Sequence, residues 1–117
     1  MADDREFHFL IDAAGALIVF QETGAAWASV LAFSSEKLAR EFLERSNLEV
    51  SEIGALDESD VGAIANLIRA VKPRAVRNIL LDLDYATGEC VAIEFEGDEL
   101  GIERAHRLTP GAQVRRS

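Results

Sequence analysis

The sequence predicts an α+β fold, a two-layer sandwich in which a mixed, mostly antiparallel sheet of about six strands carries two helices on one face. Three observations predict it. Three apolar segments with a two-residue period follow one another between residues 7 and 33. Two later segments, one after Ser34-Ser35 and one at 57–72, space their apolar residues as a single stripe of an α-helix. Two further apolar runs flank the loop Tyr85-Ala86-Thr87-Gly88. The predicted order is β-β-β-α-β-α-β-β, a meander followed by alternating units.

Phe7, Phe9 and Ile11 alternate with His8, Leu10 and Asp12 as a first strand. Ala13-Ala14-Gly15 supplies a turn, with Gly15 free to take positive φ, and residues 17–21 return as a second strand, so the chain opens with a hairpin. Glu22-Thr23-Gly24 is a second turn. Residues 27–33 are apolar on both faces, as in a strand buried between neighbours. At Ser34-Ser35 the period changes. Leu38, Ala39, Phe42 and Leu43 form a helical stripe, Ser34 or Ser35 caps it, Glu36 complements its positive end, and Lys37, Arg40, Glu41, Glu44 and Arg45 form the wet face.

Residues 48–52 read as a short strand and Gly54-Ala55-Leu56 as a connection. Asp57 or Ser59 caps a second helix whose stripe is Val61, Ile64, Ala65, Ile68 and Val71; Pro73 stops it and Lys72 sits at its negative end. Residues 79–84 and 90–95 form a hairpin with Gly88 in the loop. Beyond Gly97 the apolar residues Leu100, Ile102, Ala105 and Leu108 keep no clear period and fit a short strand or a helix, and the chain from Pro110-Gly111 reads as frayed. The domain reading is a disordered stretch over 1–6, a single α+β domain over 7–100 and a basic tail over 101–117.

At 117 residues, 49% of them apolar, one domain with a real core is expected. The single cysteine, Cys90, permits no internal disulfide, which suits a reducing cytoplasm. No apolar run approaches the roughly 20 residues of a membrane span, and the polar, acidic start Met-Ala-Asp-Asp-Arg-Glu is unlike a secretory signal. The net charge of −9 argues against nucleic acid as a partner, because phosphate contacts need a basic surface. Residues 101–117 carry Arg104, Arg107, Arg115 and Arg116 against Glu103, a net of +3, which leaves −12 on residues 1–100. A basic tail on an acidic body can fold back on its own domain or on a partner subunit.

Candidate chemistry is sparse. Cys90 with His8 or His106 is the one thiol pairing, and Cys90, which follows Glu89 and starts a strand, reads as a buried structural cysteine, with a nucleophile as the alternative. Asp82-x-Asp84-x-x-Thr87-Gly88-Glu89 departs from a calcium loop, since Ala86 stands at the third ligand place. Seven carboxylates and no Lys or Arg lie from Asp82 to Glu99, which reads as a solvated acidic hairpin. Arg69, Lys72, Arg74 and Arg77 cluster at the end of the second helix, where they complement the helix dipole or meet an anion or acidic partner. Trp27, Arg104 and Arg107 are the candidate interface residues. No phosphate loop, catalytic triad, metal-ligand spacing or cofactor motif stands out, so no catalytic residue, metal or cofactor is assigned.

The run Ala28-Ser-Val-Leu-Ala-Phe-Ser-Ser-Glu-Lys-Leu-Ala-Arg-Glu-Phe-Leu resembles the SseB-like N-terminal domain, a small α+β family in which a strand ending in an aromatic residue and Ser or Thr leads into a helix opened by an acid. The later Ile-Arg-Ala-Val-Lys-Pro-Arg-Ala-Val and Leu80-Leu-Asp-Leu-Asp are similar to that family's helix and following strand. The resemblance spans about Ala28 to Asp84 in generic residue classes, lacks an Asn-Pro-Gly-type loop near 82–87, and implies a non-enzymatic, protein-binding or regulatory domain. The function expected is therefore protein contact as a cytoplasmic homodimer. A small-molecule or anion-binding regulator using Arg69–Arg77 and an enzyme built on Cys90 are the alternatives.

Overall fold

The computed structural model describes residues 5–22, 24–108 and 113–115, the last three as backbone. The strands are β1 (Glu6–Ile11), β2 (Val19–Gln21), β3 (Ala28–Phe33), β4 (Glu52–Asp57), β5 (Val76–Leu81), β6 (Glu89–Glu96), β7 (Glu99–Arg107) and β8 (Gln113–Arg115); the helices are α1 (Glu36–Ser46) and α2 (Val61–Val71). The fold is α+β, with one open, mixed, mostly antiparallel sheet in the order β4-β1-β3-β5-β6-β7, and with β2 pairing β3 and β8. Among the described residues, only β3 and β5 are parallel neighbours.

The two helices lie on opposite faces of this sheet, so the predicted two-layer arrangement becomes three layers. Ile64, Ile68 and Val71 of α2 pack with Val30, Ala32, Ile79 and Ile93. Ala39 and Phe42 of α1 pack with Leu31, Phe33, Leu80 and Ala92. Val30 and Leu31 are successive strand residues, so these are the two faces. The reason is handedness. β4 runs parallel to β3, because β1 is antiparallel to both. The crossover β3-α1-β4 moves to one edge and β4-α2-β5 moves back. Two right-handed crossovers in opposite directions put their helices on opposite faces.

The predicted opening hairpin is only two rungs deep. Ile18 N–H donates to Leu10 O and Asp12 N–H to Ala16 O, each at 2.9 Å. β1 and β2 then run end to end along the same edge of β3: Phe9 faces Ala32 and Val19 faces Val30. Nine residues of chain, 10–18, therefore stand against the single β3 residue Leu31. β4 starts four residues later than predicted. Leu48 and Val50 pack under α1 instead of joining the ladder. Gly54 is a strand residue facing Phe9, where a Cβ would stand 2.8 Å from Ile11 Cδ1.

Helix starts follow local rules. Ser35 Oγ accepts from Leu38 N–H at 3.2 Å, and Asn47, at φ 56°, closes α1. Asp60, not Asp57 or Ser59, caps α2 by accepting from Ala63 N–H at 3.1 Å; Asp57 instead holds the Ser59 N–H and hydroxyl. The segment after Gly97 is the nine-residue strand β7 paired to β6, and β8 follows, so the predicted tail contributes two strands. At the other end Glu6 opens β1 and Arg5 is anchored to Glu58 and Glu103. The rest of the predicted N-terminal stretch, residues 1–4, and 109–112 and 116–117 of the tail lie outside the described residues.

Candidate functional site

The sheet face that carries α1 is roofed near the carboxyl end of β3 and open near its start. On the open part a polar row crosses three strands. Ser29 Oγ donates to Asn78 Oδ1 at 2.5 Å, and Asn78 Nδ2 donates to Glu94 Oε2 at 3.1 Å. The row follows the register, because Ser29 faces Asn78 and Asn78 faces Glu94. Beyond it, on β7, stand Arg104 and His106. His106 Nε2 lies 2.6 Å from Glu22 Oε1, so the chain after β2 and the strand β7 wall a hollow of about 280 Å³ over this row.

Trp27 stands at the rim, 45% exposed. The Arg77 guanidinium lies over its ring, 4.2 Å from the centroid. A stacked guanidinium fixes an exposed indole at little entropic cost and leaves its N–H groups available. A second hollow of about 510 Å³, lined also by Lys72, Arg77 and Phe95, shares Trp27 and Glu94 with the first. Arg104 has no hydrogen-bond or ion-pair partner among the described residues.

The other expected site residues fall as follows. The four clustered cations divide three ways. Arg69 Nε donates to Asp98 Oδ2 at 2.9 Å, and Lys72 Nζ lies 3.6 Å from Asp98 Oδ1. These contacts, the Arg69 hydrogen bond first, hold the Asp98 carboxyl below its ordinary range. Arg74 donates to Leu17 O at 2.7 Å as a strap across the chain, and its Nε is buried with no partner among the described residues. Arg77 alone faces Trp27. Arg107 pairs with Glu89 at 2.6 Å, away from the hollow. Thus Trp27 and Arg104 of the candidate interface, and Lys72 and Arg77 of the candidate anion cluster, border two adjoining hollows that share Trp27 and Glu94.

Cys90, His106 and an acid do converge. Cys90 faces His106 across β6 and β7, and His106 is held by Glu22. No hydrogen bond joins the thiol to the imidazole among the described residues. Cys90 is 8% exposed, and burial, with the Glu22 charge behind it, pushes its thiol up to about 11. The group is a protonated thiol at neutral pH, whereas a nucleophile needs the thiolate. His8 pairs with Glu6 at 3.2 Å on β1, three strands away. The acidic hairpin is also engaged. Asp82 accepts from both the N–H and the hydroxyl of Ser34, and Asp84 Oδ1 accepts from Ala86 and Thr87 N–H. No group of three or more metal-ligating side chains occurs among the described residues. Among them, no helix is long and apolar enough to cross a membrane.

Sequence reasoning missed the polar row and Glu22. Its signal was present: Ser29, Asn78 and Glu94 interrupt strands that are otherwise apolar at those positions. Compared with protein-family models, curated proteins and solved structures, the chain matches none.

Proposed function

We propose that this chain is a non-enzymatic protein-contact domain that self-associates through the open sheet face around Trp27. One observation carries the reading: a half-exposed tryptophan clamped by Arg77, lining the same hollow as an Arg104 that has no partner among the described residues. Trp and Arg are the residue types that dominate binding energy when a partner covers them. The partner chemistry is acidic, because Arg77 and Arg104 at this face have no carboxylate partner among the described residues while the body of the chain is strongly negative. A second copy supplies such a surface, and a two-fold axis would let the basic face of each copy meet carboxylates of the other. The SseB-like resemblance and a reducing, cytoplasmic setting belong to the same proposal.

Sedimentation velocity from low to high micromolar concentration tests it. The expected result is a dimer that weakens with added salt and is lost in Trp27→Ala and in Arg104→Glu. A monomer throughout, or a dimer indifferent to both substitutions, overturns it. A second reading is favoured by Lys72 and Arg77 lining the larger hollow: an anion-binding regulator. Thermal-shift screening with phosphorylated metabolites, repeated on Arg77→Glu, distinguishes the two. A hit that survives Arg77→Glu disposes of that site.

A further inference from the structure

We propose that the hollow at the carboxyl ends of β3 and β5 binds a small linear alkylammonium ion. This cavity, of about 250 Å³, lies between α1 and the chain that follows β5, on the opposite end of the sheet from Trp27. It is too small for a drug-sized ligand and fits a handful of heavy atoms. β3 and β5 are adjacent parallel strands whose following connections part, one into α1 and one back into β6. The crevice outside such strand ends is where open sheets bind ligands.

The chemistry of the lining sets the class. Phe33, Phe42 and Leu83 form an apolar floor. Tyr85 stands edge-on to Phe42, 5.9 Å between ring centroids, and is 54% exposed. Leu38, 38% exposed, completes the apolar wall. Two of the five large hydrophobic side chains left exposed among the described residues therefore meet in one hollow. Around this surface the charged residues are Glu41, Asp82 and Asp84 against Arg45, a net of −2. Glu41 has no partner among the described residues.

An anion is disfavoured for a specific reason. Two places here attract negative charge, the Arg45 guanidinium and the chain entering α1, and at the second the Asp82 carboxylate already takes the Ser34 N–H at 2.7 Å and the Ser34 hydroxyl at 2.8 Å. What remains beside Arg45 is an apolar floor, the exposed Tyr85 ring and a Glu41 carboxylate with no partner among the described residues. That combination suits a carbon stem ending in an ammonium, held by the face of Tyr85 and by Glu41.

Residue-resolved NMR titration of the full chain with butylamine and putrescine, with butanol as the uncharged control, tests this. The expected result is saturable shifts at Leu38, Glu41 and residues 83–86, with butanol weaker. Glu41→Gln and Tyr85→Leu are each expected to weaken amine binding by about threefold. Both side chains are exposed, so the variants retain the fold, which the same spectra show. Equal binding of butanol, shifts scattered over every acidic surface, or affinity unchanged in both variants would overturn the proposal.

Discussion

Cys90, His106 and Glu22 are the residues from which a thiol enzyme would be assembled, and their geometry works against one. The acid sits where it orients the imidazole, yet its charge and the burial of the sulfur both raise the thiol pKa. Native Cys90 should therefore alkylate slowly at neutral pH and quickly once denaturant is added. The sign of the Glu22 effect is testable by itself. Removing a negative charge favours the thiolate, so Glu22→Gln should lower the pKa read from the pH dependence of alkylation. It should not restore the ordinary value, because burial is the larger cause. Fast alkylation of the native protein at neutral pH would contradict the placement of this side chain.

Elements that carry their own punctuation were legible. Ser35, one of the two expected caps, opens α1, and of the stripe Leu38, Ala39, Phe42 and Leu43 the structure buries Ala39 and Phe42, packs Leu43 against them and leaves Leu38 exposed. What failed were judgements in which one residue type serves two purposes. Gly54 looked like a break and is a strand residue that leaves room for Ile11. Asp57, Ser59 and Asp60 all resemble caps, and only the geometry of the turn shows Asp60 in that role. Asp60→Ala should therefore destabilise the protein by about 1 kcal/mol in urea unfolding, whereas Ser59→Ala should cost a fraction of that. The faces of the helices were illegible for a different reason. They depend on strand order, which no local pattern contains. The site was half legible: Trp27, Arg77 and Arg104 were visible as residue types, but their neighbours Glu22 and His106 lie 84 positions apart in sequence.

At the scale of the whole molecule, two contacts tie the far strand β7 back to the beginning of the chain. His106 meets Glu22, and Arg5 bridges Glu58, ahead of α2, to Glu103 on β7. The sheet is open, these links join its far strand to the beginning of the chain, and the Arg5–Glu58 pair makes stability respond to acid. The Glu58 carboxyl is held below its ordinary range, first by the Arg5 hydrogen bond and then by the Arg5 charge against an opposing desolvation. Asp57 is lowered by its Ser59 hydrogen bonds and Asp98 by Arg69. In each case the folded state holds the proton less tightly than the unfolded chain. The contribution is therefore complete above the ordinary carboxylate range and disappears as pH falls through the lowered folded values. The urea midpoint should be level near neutrality and drop on the acid side. Glu58→Gln should lower the neutral plateau and flatten that drop, because the variant no longer has the proton-linked pair with Arg5. High salt should narrow the difference between the two proteins, since both partners are partly exposed. An acid limb as steep in Glu58→Gln as in the parent would mean that Arg5 does not hold the Glu58 carboxylate in solution.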